Sequence, residues 1–253
     1  MKTEFIKKHN EEIKEIKSIN DWKLYASPKG QDKQWVIGRS AYSMADFAIN
    51  HNENFNKVIT DILNECKIEI QDFKCEPEAT AGLGKGMKKG GSRNHDLLMV
   101  GTKNCVIGIE AKVSESFDNN WRDVQKEQGD NDDTRAFALK KFLTPNKDCI
   151  NDIGYQLFTA TRGTMMSAMK ERYENAILLV IVFVGEDIKR NSGENEKKYD
   201  ENIKKNDNDF AQFLCAVDAN GNGMIQRKIG RETINCWIKK VKIEISHDYT
   251  IAK

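Results

Sequence analysis

The sequence predicts an α/β fold, a mixed central sheet flanked by helices. Three observations carry that prediction. Ala176 to Val184 is apolar throughout, hence apolar on both faces, and reads as a central strand. Asp152 to Tyr173 reads as a long helix with Ile153, Leu157, Ala160 and Met165 on its core stripe, so a crossover leads naturally into that strand. Leu97 to Val100 and Cys105 to Ile109 are apolar, partly β-branched runs around Gly101-Thr102-Lys103-Asn104, which has the composition of a hairpin turn.

The other elements follow in chain order. Residues 3 to 18 read as a helix on a sparse stripe of Phe5, Ile6, Ile13 and Ile16. Ser40 is placed to cap a helix carrying Ala41, Met44, Ala45, Ala48 and Ile49. Residues 1 to 52 are therefore expected as a helical extension packed on a core of residues 53 to 253, the two forming one structural unit. Residues 53 to 66 give a helix with Phe55, Val58, Ile59, Ile62 and Leu63 inward. Lys67 to Phe73 alternates like a half-buried strand, and Pro77 argues against a central strand just after it. Thr134 to Phe142 looks helical. Asp187 to Asp209 is almost wholly polar and reads as a surface insertion or disordered loop, with a short helix from Phe210 to Val217. Asp218 to Gly223 resembles the opening of a calcium loop, but the closing position is Ile229, so it reads as a turn. Ile234 to Ile245 alternates as one or two strands.

The hairpin is where the chemistry concentrates. If Gly101 pairs with Cys105 across a three-residue loop, Asp96 falls opposite Glu110, and Lys112 shares their face. Leu97, Met99, Ile107 and Ile109 then form an apolar set on the other face. A two-residue loop would separate the acids, so a three- or five-residue loop is expected. Two carboxylates brought together repel, and a hard divalent cation relieves the repulsion; Mg²⁺ binds through one or two carboxylates plus phosphate oxygens. Lys112 fits as a point charge beside a scissile phosphate and an attacking water. Glu110 directly follows Cys105-Val106-Ile107-Gly108-Ile109, where desolvation penalises an unpaired charge.

Asp96, a spacer of mostly strand residues and Glu110-Ala111-Lys112 together resemble the PD-(D/E)XK signature of the restriction-endonuclease-like phosphodiesterases. The match covers Ser92 to Phe117 directly, with His95 where that family often has proline. The resemblance implies a restriction-endonuclease-like core and a Mg²⁺-dependent nuclease, with Mn²⁺ as a substitute ion and 5′-phosphate ends as products. Asp96 and Glu110 would bind metal, with Glu78 as a third acid. Lys112 would position or polarise the attacking water, and Gln156 would assist from the long helix. In the resembled fold a helix at 53 to 66 often supplies another acid, for which Glu65 is the candidate. Gly82 to Gly91 is glycine-rich but lacks the order of a phosphate-binding P-loop. Its Lys85, Lys88 and Lys89, with Arg93 just after, suit a clamp on a nucleic-acid backbone, double-stranded DNA above all. Glu115 either orients Lys112 or is solvated. The rival expectation is an inactive nucleic-acid-binding or interaction module on the same fold.

Composition bounds these readings. Charged residues are 31% and hydrophobic residues 39%, enough for a sizeable core beneath a polar surface. A net charge of +1 neither demands nor excludes nucleic acid. The six cysteines (66, 75, 105, 149, 215 and 236) form no CxxC pair and read as buried reduced thiols, consistent with a cytoplasmic protein. The charged N-terminus does not look like a secretory signal, and no apolar run is long enough to cross a bilayer. A homodimer is compatible with all of this.

Overall fold

A computed structural model describes residues 1–9, 11–27, 35–36, 38–84, 91–129, 134–144, 150–192, 194–245 and 250–251. The fold is α/β. The strands β1 (Thr3–His9), β2 (Glu12–Glu15), β3 (Phe73–Gly82), β4 (Ser92–Gly101), β5 (Cys105–Lys112), β6 (Asn175–Val184), β7 (Met224–Ile229) and β8 (Glu232–Glu244) form one mixed sheet in the order β2-β1-β3-β4-β5-β6-β8-β7. A short β9 (Thr250–Ile251) pairs with β8.

The centre of the sheet obeys period two on two buried faces, because every residue of β5 is buried. Ile107, Ile109, Ala111, Leu179 and Ile181 belong to one apolar cluster, roofed by α1 (Ile19–Ala26), α2 (Ser40–Ile49) and α3 (Asn52–Glu65). Val106, Leu178, Val180 and Val182 belong to the other. That face is covered by α4 (Trp121–Gln128), α5 (Arg135–Leu143), α6 (Tyr155–Glu171) and the end of α8 (Glu196–Ala216). A short α7 (Glu186–Asn191) precedes α8.

The hairpin register matches the expected three-residue loop: Leu97 pairs with Ile109, Met99 with Ile107 and Val100 with Val106. Helix α6 leads into β6, which lies parallel to both β5 and β8, as the apolar run predicted. Gly108 lets α6 approach β5. A Cβ added there would stand 2.2 Å from Thr164 Oγ1 and 3.0 Å from the His95 ring, and a Cβ on Gly163 of α6 would stand 3.0 Å from that ring. Gly108→Ala is therefore expected to destabilise the fold by about 1–3 kcal/mol, the range for overpacking a core, measurable by chemical unfolding. Unchanged stability would mean that α6 can recede at no cost.

Several sequence expectations are corrected. Thr3–His9 and Glu12–Glu15, within the stretch 3 to 18 expected as a helix, form the antiparallel strands β1 and β2. Of β1 only Phe5 is buried, and β1 extends the sheet by running parallel to β3 through Thr3–Phe73 and Phe5–Cys75. The first 52 residues are thus two strands plus α1 and α2, not a helical extension. The half-buried strand expected over Lys67 to Phe73 instead begins at Phe73. Pro77 sits inside β3, opposite Leu97. It is tolerated because β1 pairs with β3 only as far as Cys75, so no ladder partner needs its missing N–H. Lys7 Nζ instead donates to the carbonyls of Pro77 (2.7 Å) and Glu78 (2.9 Å). The polar stretch 187 to 209 carries most of α7 and the first part of α8, which runs for 21 residues. Its buried stripe includes Asn206 and Asp209, whose polarity masks the period, and Asn206 Nδ2 donates to Glu115 O at 2.9 Å. Cys215 is exposed, while Cys66, Cys75, Cys105 and Cys236 are buried free thiols. No described helix is long and apolar enough to cross a membrane.

Candidate functional site

The β3–β4 pair turns over at the level of the acids. Its register runs from Pro77–Leu97 directly to Ala79–His95, so Glu78 and Asp96 face each other without a ladder pair. Glu78 holds a left-handed backbone, φ 46°. Below this point Cys75, Leu97 and Met99 point into the cluster under α2 and α3. Above it Ala81 and His95 lie against Gly163 of α6. Residues two apart in a regular strand share a face, so the distortion has inverted the alternation. Continuing the β4–β5 register places Glu110 opposite Asp96. The three acids thus directly adjoin the regular pairs Pro77–Leu97 and Leu97–Ile109 of three neighbouring strands.

The side chains there are held by part-buried contacts. Asp96 Oδ2 accepts the Ala111 N–H at 2.6 Å, replacing a backbone acceptor where the ladder stops. Glu110 is 2% exposed, so its charge must be matched within the protein. Its Oε1 accepts from Gln156 Nε2 and lies 3.2 Å from Lys112 Nζ, and its Oε2 accepts from Arg93 Nη2. Lys112 Nζ also lies 5.8 Å above the Phe117 ring. Gln156 is positioned by the start of α6: its N–H donates to Phe117 O at 3.3 Å, and Tyr155 N–H to Asn119 O at 2.9 Å. Glu115 is part-exposed and its charge acts on Lys112, but its hydrogen bonds go elsewhere. It accepts from the Val113 N–H at 2.8 Å and from the Ser40 hydroxyl at 3.3 Å, so it sits at the N-terminus of α2, where a carboxylate is favoured.

Burial dominates the ionisation here. It raises the Glu78 carboxyl, and the Asp96 charge beside it raises it further, against Lys7 and Arg93. Burial likewise raises Asp96, opposed by Lys112, the Ala111 N–H and Arg93. It lowers Lys112, opposed by Asp96 and Glu115. It also lowers Arg93 to about 10 and, helped by the Arg93 charge, holds His95 down at about 3.

These residues fit a hard divalent ion. Glu78 and Asp96 are carboxylates whose mutual repulsion raises Glu78, the Gln156 Oε1 is buried without a protein partner, and all these donors are oxygen. Among the described residues no group of three or more His, Cys, Asp and Glu side chains forms a metal cage. Mg²⁺ does not require one, since it keeps several waters.

Asp96, Glu110, Lys112, Gln156 and Glu78 are thus brought together. Arg93, expected on a nucleic-acid backbone, lies in β4, buried against Glu110. Lys85, Lys88 and Lys89 fall outside the described residues. Glu65 pairs with Lys239 at 3.1 Å on the surface. The Arg93–Glu110 pair was not visible in the sequence: the partners are 17 residues apart, and the register that pairs Leu97 with Ile109 does not set them opposite one another. A cavity of about 380 Å³ between α4 and α5, lined by Trp121, Phe137, Lys140 and Lys141 among others, includes none of the clustered residues.

The fold and the site thus define an α/β domain with a buried acid–lysine cluster at one end of a central hairpin. Over residues 15–245 the chain matches the family described as "Domain of unknown function (DUF6946)", and it belongs to that family. No curated protein and no solved structure matches it.

Proposed function

We propose that this protein is a Mg²⁺-dependent phosphodiesterase that cleaves nucleic acid, double-stranded DNA in the first instance, on a restriction-endonuclease-like core. One observation carries the reading: Lys112 Nζ lies 3.2 Å from Glu110 and acts on the charge of Asp96, which in turn acts on that of Glu78. The order β3-β4-β5-α4-α5-α6-β6 supports the fold part of it.

Asp96 and Glu110 would hold the ion, with Glu78 as the third acid. When bound, Mg²⁺ acidifies a water and offsets charge on the phosphoryl group under attack. The chain's own groups do the rest. Lys112 Nζ, desolvated and beside both acids, presents a compact positive charge to a phosphate oxygen and to the attacking water. Gln156 Nε2 holds Glu110 in place. The carboxylate of Asp96 is fixed by the Ala111 N–H, so its free oxygen is aimed before substrate arrives.

The Arg93–Glu110 pair favours a second reading, a module of the same fold that does not cleave, because a cation of the protein itself already satisfies a candidate ligand. Plasmid cleavage separates the two. The phosphodiesterase reading expects supercoiled DNA to be nicked or linearised with Mg²⁺ or Mn²⁺ and left intact with a chelator. Intact plasmid under all of these conditions favours the module.

A further inference from the structure

We infer that Arg93 is a built-in competitor for the divalent ion: its guanidinium occupies the Glu110 oxygen that a metal would take, and the ion binds only as Arg93 leaves. This rests on the reading that Asp96 and Glu110 hold metal. Glu110 Oε1 is already engaged by Gln156 Nε2 and Lys112 Nζ, so Oε2 is the oxygen left for an ion, and Arg93 Nη2 sits on it. A guanidinium and a divalent cation on one carboxylate oxygen repel strongly in so dry a site.

The geometry also makes Arg93 removable. It is the second residue of β4, paired with Ala81 one pair from the end of the β3–β4 ladder at Gly82–Ser92. Leaving Glu110 therefore needs side-chain rotation, not the dismantling of the strand. Its Nε is buried without a protein partner, so the guanidinium is incompletely satisfied where it lies. Lys112 differs in its satisfaction and its partner: it closes β5, a strand buried throughout, its Nζ is not among the buried unpartnered atoms, and it bonds the other oxygen. Of the two cations on Glu110, Arg93 is the one built to move. Its departure leaves the acid cluster one positive charge poorer, the change that an incoming cation compensates.

The test is Mn²⁺ binding to the full chain without nucleic acid, read from the paramagnetic resonance signal of free Mn²⁺. Arg93→Gln keeps a hydrogen-bond donor and removes the charge, and should bind Mn²⁺ about tenfold more tightly than the wild type or better. Arg93→Lys should fall between them, and it carries the comparison if the glutamine variant does not fold without metal. In thermal unfolding, Arg93→Gln should melt below the wild type when metal-free and gain more from saturating Mn²⁺. Equal or weaker Mn²⁺ binding by the variants overturns the inference, even if the wild type cleaves DNA. Tighter binding with no cleavage by any form upholds it and removes the phosphodiesterase reading. No Mn²⁺ binding by any form removes both.

Discussion

Lys112→Ala is expected to lower divalent-dependent DNA cleavage by about 10³-fold, the scale for deleting one preorganised charge at a reacting phosphate. Asp96→Asn should lose about as much, through a weakened ion site rather than a missing point charge. Both proteins should still fold, which makes the comparison clean. Without Lys112, Glu110 keeps Arg93 and Gln156 as partners. An asparagine at 96 can still accept the Ala111 N–H that Asp96 accepts now. The two losses differ in their response to metal: raising Mn²⁺ should partly restore Asp96→Asn and leave Lys112→Ala unchanged. Single-turnover cleavage of plasmid, beside circular dichroism of each variant, reads all of this. Wild-type rates in both variants would remove the cluster from catalysis and leave the interaction module.

How much of this was legible beforehand depended on whether local pattern or long-range contact decides the matter. The β4–β5 register could be read because the turn composition and the inward set Leu97, Met99, Ile107 and Ile109 agree on a single alignment. Strand β6 was as plain, since a run buried on both faces has nowhere to go but the middle of a sheet. The N-terminal hairpin was not legible. In β1 only Phe5 is buried, and that strand is held by pairing with β3, about seventy residues away. Helix α8 hid its stripe by burying Asn206, whose Nδ2 donates to Glu115 O, and Asp209, whose carboxylate pairs with Lys205. Pro77 misled for a related reason: a rule about ladder donors applies only where a second strand is present, and β1 has already turned away. At the site, sequence could bring Asp96, Glu110 and Lys112 together by parity. It could not show that Arg93 closes on Glu110, nor that the strand pair inverts at Glu78, because both follow from three-dimensional packing against α6.

His95 yields the second large effect, on stability. It is wholly buried among Ala81, Gly108, Gly163 and Thr164, neither ring nitrogen has a protein partner, and Arg93 adds a positive charge nearby. Burial and that charge hold its folded pKa at about 3, against an ordinary value of 6.5. The unfolded chain therefore takes up a proton near pH 6.5 that the folded chain refuses until about pH 3. The stabilisation is complete above pH 6.5 and is lost as pH falls through that interval, which spans about 3.5 in pH. At about 1.4 kcal/mol per pH unit the loss amounts to about 5 kcal/mol, a large share of the stability of an ordinary domain. Titrating carboxylates add to the same acid limb, so the wild type alone does not isolate the histidine. His95→Leu does: it keeps an apolar volume between the two glycines and cannot be protonated. Urea unfolding from pH 7.5 down to pH 4 should show wild-type stability falling more steeply than that of the variant. At pH 7.5 the two should be close, or the variant the more stable, since it removes buried nitrogens that no protein group satisfies. Parallel acid limbs would mean that the ring takes up its proton in the folded state as readily as in the unfolded chain, which is incompatible with the packing of α6 over Gly108.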